Sequence, residues 1–335
     1  MARIYGLDLG TANTMICHKG EIILRAPSVV AINDADREIV ALGPSAKSML
    51  GKTPAGITAF RPLKGGVIAE YDVASKMVRG FLEHIGAFSL FSRPVIIVCI
   101  PHKATGVEKR ALEDAIFEAG ARYVALIDEP MAAAIGTGLR VGASKGSMIV
   151  DIGGGSTEVA VISNGGIVSA DSIRVAGDEF DEAIVEYIKD TKNTLIGAAS
   201  AEELKLKCGA AHPEFDSGCG TVAGRSLLNG MGTTVTLSSA ELREAVAEPL
   251  EQIIGSIKHT LEFTPPELSA DIYDYGIMLT GGGSRLRGIG RYIEDRVGIR
   301  VTQAKQPMEA VCRGISRVME SEGQLGDMLL RYRSR

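Results

Sequence analysis

Two stretches decide the reading of this chain: Ile4-Tyr5-Gly6-Leu7-Asp8-Leu9-Gly10-Thr11-Ala12-Asn13-Thr14 and, far downstream, Met148-Ile149-Val150-Asp151-Ile152-Gly153-Gly154-Gly155-Ser156-Thr157. Each is an apolar run ending in an Asp-x-Gly turn that carries hydroxyls. A second apolar run follows (Met15 and Ile16; Val159 to Ile162), then a glycine turn (Lys19-Gly20; Asn164-Gly165-Gly166) and a third run (Ile22 to Leu24; Ile167-Val168). Short apolar runs joined by tight glycine turns predict antiparallel meanders. The same meander written twice predicts two related domains facing one another.

Working outward, strand and helix signals alternate after each meander. Asp72 is placed to cap a helix with Val73, Met77, Phe81 and Ile85 on one face. A strand over Val95 to Ile100 follows, then a helix with Val107, Ala111, Ala115 and Ala119 that Gly120 ends. Val124 to Ile127 reads as another short strand. In the second half, Ser238-x-x-Glu241 has capping-box form ahead of a helix carrying Val246, Leu250, Ile253, Ile257 and Leu261, stopped by Pro265-Pro266. Ile277 to Leu279 is a strand running into Gly281-Gly282-Gly283-Ser284. This alternation predicts an α/β fold.

The composition suits that fold. The 335 residues, 45% hydrophobic and 23% charged, can bury two cores. The net charge of −5, without a basic block, argues against a nucleic-acid partner. Cys17, Cys99, Cys208, Cys219 and Cys312 lack metal-ligand spacing and read as small buried hydrophobes in a reducing compartment. The opening Met1-Ala-Arg-Ile-Tyr enters a strand at once and no apolar run reaches the roughly 18–20 residues of a spanning helix, so a cytoplasmic protein without a signal peptide is expected.

Glycine turns bring backbone N–H groups close to a ligand, and a row of them forms a nest suited to phosphate. Either Asp-x-Gly turn alone reads as a structural hairpin. Face to face, Gly10-Thr11-Ala12-Asn13 and Gly153-Gly154-Gly155 would clamp a polyphosphate. Asp8 and Asp151 would then sit where Mg²⁺ and its waters neutralise phosphate charge. A rival motif, Ala46-Lys47-Ser48-Met49-Leu50-Gly51-Lys52-Thr53, resembles a P-loop. It lacks the following helix, because Pro54 and Gly56 come next, and is read as a surface segment. Glu129 follows a strand and precedes a helix. There it serves either to orient a water for attack on phosphate or as an acid favoured by the helix dipole.

With these residues in hand, the chain resembles the MreB/Mbl family of bacterial actin-like proteins. The resemblance rests on Asp8-Leu-Gly-Thr-Ala-Asn-Thr14, Arg61-Pro-Leu-Lys-Gly-Gly-Val-Ile-Ala69, Glu129-Pro-Met-Ala-Ala-Ala-Ile-Gly136, Asp151-Ile-Gly-Gly-Gly-Ser-Thr-Glu-Val-Ala160, Arg174-Val-Ala-Gly-Asp-Glu179, Thr264-Pro-Pro-Glu-Leu268 and Leu279-Thr-Gly-Gly-Gly-Ser284. It implies an actin-like, duplicated ribonuclease H-like fold of two domains with two subdomains each, around a cleft for ATP or ADP with Mg²⁺. The implied first domain is 1–139, with a smaller subdomain at about 33–66 and completion by 308–335. The second is 140–307, with a smaller subdomain at about 178–240.

The resemblance also implies residue roles. Thr11, Ala12 and Asn13 belong to one phosphate loop and Gly153, Gly154 and Gly155 to the other, with Gly177 and Asp178 beside it. Glu202, Glu203 and Lys205 flank the adenosine, and Gly281, Gly282, Gly283 and Ser284 lie beneath it. Glu129, with a hydroxyl of Ser156 or Thr157, positions the hydrolytic water near Asp151, giving a slow ATPase. The family usually has two threonines where this chain has Ser156 and Thr157, and the Gly/Ser-rich stretch 212–234 matches poorly.

The loop Phe88-Ser89-Leu90-Phe91 is exposed by pattern. Its side chains either fold back onto the core or, as the resemblance implies, place Leu90 and Phe91 in a membrane, unaided by any amphipathic helix ahead of the first strand. The implied partners are further copies of the chain in filaments, the inner membrane surface, and membrane proteins of cell elongation and wall synthesis. A sugar or acid kinase on the same fold is the alternative, but no further catalytic base stands out. A chaperone would need a substrate-binding domain beyond the chain's end at Arg335.

Overall fold

The computed structural model describes residues 3–89, 93–321 and 329–334. Its frame is two sheets of matching topology. The first has six strands in the order Leu329–Ser334, Tyr123–Asp128, Val95–Ile100, Ile4–Leu9, Asn13–His18 and Glu21–Pro27. The second has five, in the order Gly166–Ile173, Thr157–Ser163, Ser147–Ile152, Ile277–Thr280 and Val301–Gln303. In each, a three-stranded antiparallel meander is extended on its first-strand side by two parallel strands, and in the first sheet Leu329–Ser334 adds an antiparallel edge. The meander turns agree in detail: Lys19-Gly20 have φ of 49° and 82°, Asn164-Gly165 of 50° and 77°. Two consecutive positive φ values match the natural twist of a hairpin, and Asn and Gly adopt them at little cost. In register, Asp8 stands opposite Met15 and Asp151 opposite Glu158, so the two aspartates occupy equivalent positions.

Each sheet carries its own core. Tyr5, Leu7, Ile96 and Val98 pack against Val73, Met77 and Phe81 of the Tyr71–His84 helix. Val150, Val159 and Leu279 pack against Phe180, Ile253 and Ile257 in the second half. Side chains of this size contribute about 1.5–3 kcal/mol each when fully buried. A third cluster joins the halves through two helices, Glu129–Thr137 and Ala310–Glu320. These two pack backbone to backbone. A Cβ on Gly136 would lie 1.7 Å from the Ala310 carbonyl oxygen, and one on Gly314 would lie 1.7 Å from that of Ala132. The first position of one of these helices is Glu129, so this brace fixes the glutamate's place.

Two small sheets stand apart from the frame: Val30–Asn33 with Ile39–Leu42 and Ile57–Phe60, and Thr194–Leu195 with Cys219–Ser226 and Gly232–Ser238. The stretch 212–234, with no clear pattern in sequence, supplies the Cys219–Ser226 strand and the start of its Gly232–Ser238 partner.

Several sequence expectations are corrected. Asp72 does not cap its helix, which begins at Tyr71 after Glu70. Val107 is 79% exposed rather than core, because the helix is entered through a Thr105–Glu108 capping box that turns Val107 outward. The Ser238–Glu241 capping box forms, but the helix it opens ends at Ala245 and a new one runs Ala247–Glu262. Pro265 then precedes a further helix, Pro266–Tyr275, absent from the sequence reading. Cys219 is exposed, while the other four cysteines are buried. Phe88 packs against the first core. Leu90 and Phe91 lie outside the described residues, and among those described no helix is long and apolar enough to cross a membrane.

Candidate functional site

The glycine turns of the two meanders face each other across a cleft of ≈ 520 Å³, within the range expected of a small-molecule site. The first loop, Gly10 to Ala12, is held by hydroxyls. Ser28 Oγ donates to the Gly10 carbonyl at 2.6 Å and lies 2.8 Å from Thr14 Oγ1, while the Ser28 N–H donates to the Ala12 carbonyl at 3.0 Å. Thr11 Oγ1 accepts from the Gly66 N–H at 2.9 Å. The second loop is held by its own backbone. Gly153 N–H donates to the Ser156 carbonyl at 2.9 Å, and the Gly154 carbonyl accepts from Asp178 N–H at 2.7 Å, tying the loop to the start of the Gly177–Lys192 helix.

The loops touch. A Cβ on Gly154 would lie 2.7 Å from Ala12 Cβ, and one on Gly155 would lie 2.7 Å from Thr11 Oγ1 and 3.0 Å from Gly65 N. Only glycine permits that approach, and it leaves main chain rather than side chain facing the cavity. Gly281 has the same role on the far side. At φ 88°, its missing Cβ would fall 2.1 Å from the Ile152 carbonyl oxygen.

Of the carboxylates lining the cleft, three stand behind the glycine loops: Asp8 and Asp151 on the strands that lead into them, and Glu129 on the helix after Tyr123–Asp128. Burial pushes Asp8 up to about 7, partly opposed by the Cys99 thiol, which donates to its Oδ1 at 3.6 Å. Burial, then the charges of Asp8 and Glu158, pushes Asp151 up to about 8. Burial, then Glu158, Asp151 and Asp8, raises Glu129 well above the usual carboxylate range. None of the three has an ion-pair partner among the described residues, and Asp151 Oδ2 is buried without a hydrogen bond. Buried acids left without a cation create the field a divalent ion would occupy. Among the described residues no three acidic, His or Cys side chains are grouped to bind a metal directly. Asp8 and Asp151 would suit a hydrated Mg²⁺ held through its waters rather than by direct ligation.

The expected residues assemble here with three exceptions. Asp8, Gly10, Thr11, Ala12, Asn13, Glu129, Asp151, Gly153 to Ser156, Gly177, Asp178, Glu202, Lys205 and Gly281 to Gly283 all line the cleft. Thr157 does not: it is fully buried and its hydroxyl donates to the Val175 carbonyl at 2.6 Å, so Ser156 carries the hydroxyl that faces the cavity. Glu203 points outward, one position off the inward face of its helix. Ser284 is buried beneath its loop, where its hydroxyl donates to the Gly281 carbonyl at 2.7 Å.

Other lining residues were missed in the sequence. Lys47 lines the cleft although its segment was read as surface, and Gly66, Cys99, Asp181 and Met308 line it too. Gly65-Gly66, inside the quoted Arg61–Ala69 string, was the available signal. Arg61 also bridges to Asp178 at 2.6 Å. For Lys47 the sequence offered only the P-loop-like string, read as surface, because the four-residue helix it ends leaves no periodic pattern. Lys205 reaches the Gly177 carbonyl at 2.7 Å and Asp181 at 2.8 Å, and burial of Asp181 raises its pKa to about 6 despite that lysine.

Comparison with known proteins adds a family. A family model described as MreB/Mbl protein matches residues 2–326. The chain is 47% identical to the cell shape-determining protein MreB of Escherichia coli K12 over 321 residues, covering 94% of this chain and 92% of that one. It is 41% identical to the cell shape-determining protein Mbl of Bacillus subtilis 168, covering 97% and 98%. Among solved structures it is similar to MreB5 of Spiroplasma citri, bound to ADP or to AMPPNP, with a TM-score of 0.90, 32% identity and 96% of both chains covered. It also shares its fold with a chain of the MamK double helical filament, at TM-score 0.81 and 22% identity.

Proposed function

The chain belongs to the MreB/Mbl family, and from that premise we propose that it is an actin-like ATPase that polymerises into membrane-associated filaments and determines cell shape by organising wall synthesis. The observation that carries the nucleotide part is the contact between two equivalent glycine loops with unneutralised acids behind them. Relatives bound to ADP and AMPPNP support it. The two proposed domains are 1–139, completed by 308–335, and 140–307.

Each residue has a task in this reading. Main-chain groups of Gly10 to Asn13 and Gly153 to Gly155 cradle the phosphates, with the start of the Gly177 helix behind the second loop. Asp8 and Asp151 would hold Mg²⁺ through its waters, and the ion would supply charge neutralisation at the phosphates. Glu129 and the Ser156 hydroxyl orient the attacking water. Burial keeps Glu129 a stronger base than a surface glutamate once ionised. Glu202 and Lys205 flank the adenosine. The polymer and the inner membrane surface are partners in this reading, with Leu90 and Phe91 as the lipid contact and a cytoplasmic location.

Sedimentation with liposomes, using ATP, ADP or no nucleotide, tests this. Wild type should pellet with lipid in an ATP-dependent way, and Leu90→Ser/Phe91→Ser should lose the lipid fraction while still forming filaments. Phosphate release with no acceptor present separates this reading from a kinase. A chain that stays monomeric and releases no phosphate in every condition contradicts it.

A further inference from the structure

Among the described residues four ion pairs join the two halves, and they are not alike. Lys103–Asp171 at 2.5 Å and Arg174–Glu108 at 2.8 Å link residues that do not line the nucleotide cleft. Arg61–Asp178 at 2.6 Å has one member in the cleft wall. In the fourth, Lys47 Nζ lies 3.0 Å and 3.2 Å from the two carboxylate oxygens of Glu202, and both residues line the cleft.

Both ends of that fourth pair stand on firm supports. Lys47 ends the short Pro44–Lys47 helix, which is anchored by fully buried Ala46 among Val29 and Ala31. Glu202 belongs to the Ala198–Cys208 helix, whose Ala201, Leu204 and Cys208 are buried in the second core. One turn further on, Lys205 is committed to Asp181 and the Gly177 carbonyl, which fixes this helix over the cavity. Lys47 is also the sole lining residue, among those described, contributed by the small sheet of residues 30–60 and its short helix.

We propose that Lys47 is a positioning residue of the nucleotide site: its pair with Glu202 clasps the two small sheets across the cleft and lengthens the stay of a bound nucleotide. The proposal rests on the nucleotide reading above. The pair stands at the rim, with side chains 40% and 25% exposed, so a nucleotide passing between the small sheets must break it. Pairs so exposed have modest strength and are screened by salt, which suits a clasp that must open repeatedly.

The test is stopped-flow displacement of a fluorescent ADP analogue from the full-length chain, at low and high salt. Lys47→Met keeps the aliphatic stem and should speed release about two- to fivefold at low salt, with the salt dependence of release largely lost. Lys47→Glu should be faster again, because two carboxylates then face each other, and Lys47→Glu/Glu202→Lys should slow release relative to that single variant. Equal release rates and equal salt slopes for wild type and Lys47→Met, in a wild type that binds the analogue, overturn the clasp alone. A wild type that binds no analogue overturns the nucleotide reading with it.

Discussion

The two glycine loops that meet at the cleft occupy equivalent positions in equivalent meanders, yet they are held by different means. The first is pinned from behind by side-chain hydroxyls: Ser28 on Gly10, Thr14 on Ser28, and the Gly66 N–H on Thr11. The second has lost almost every side chain and is shaped by its own backbone bonds and its contact with the first loop. Duplication preserves topology while leaving local chemistry free to diverge. The first loop therefore tolerates loss of a hydroxyl better than the second tolerates gain of a methyl group.

Substitutions can break that contrast. The largest effect belongs to Gly155→Val, whose Cβ would meet Thr11 Oγ1 and Gly65 N. Forcing the loops apart costs roughly 1–3 kcal/mol in strain alone, and with phosphate contacts also lost, affinity for Mg-ATP should fall at least about a hundredfold in calorimetry. Glu129→Ala acts between the loops. Phosphate release should fall on the order of a hundredfold, with affinity changed only a few-fold, because the role assigned is in the reaction. Ser28→Ala removes a donor to the Gly10 carbonyl and should weaken binding about tenfold, in line with roughly 1–2 kcal/mol for one buried hydrogen bond. The counterpart is Thr157→Val, which loses a bond to Val175 away from the cavity. It should lower unfolding free energy by about 1 kcal/mol in urea titration and leave affinity unchanged.

The remaining effect is that of pH. Asp8 and Asp151 are raised to about 7 and about 8 in the fold, from 3.8. Between those values the folded chain holds protons that the unfolded chain has released, so this contribution favours the fold at the acid end and is lost as pH rises. Without ligand, this contribution to thermal stability should fall from about pH 4 to about pH 8. Mg-ADP requires the ionised acids, so the rise in Tm it produces should grow over the same window. A ligand-induced shift independent of pH would remove Asp8 and Asp151 from the cation's surroundings.

Much of this was legible in sequence, for identifiable reasons. The paired meanders were written in glycine turns and short apolar runs, and the turns formed with positive φ at Gly20, Asn164 and Gly165, which those residues readily adopt. Asp8, Asp151 and the glycines were visible because the close approach of two main-chain loops restricts residue type at consecutive positions. Lys47 was hidden because a single side chain reaching across space leaves no periodic trace. Thr157 was misplaced for a related reason: the loop ends at Ser156 and the strand begins at Thr157, and sequence alone did not say which of the two hydroxyls faced the cavity. The brace of Gly136 and Gly314 was invisible because it joins residues far apart in the chain through a contact that neither local pattern records.

The central claim is that the two glycine loops together form one nucleotide site. Isothermal calorimetry of Mg-ATP against wild type and Gly155→Val tests it most directly. The account predicts one site per wild-type chain and no measurable binding by a variant that remains folded by circular dichroism. Equal binding by both proteins, or none by wild type, would contradict it.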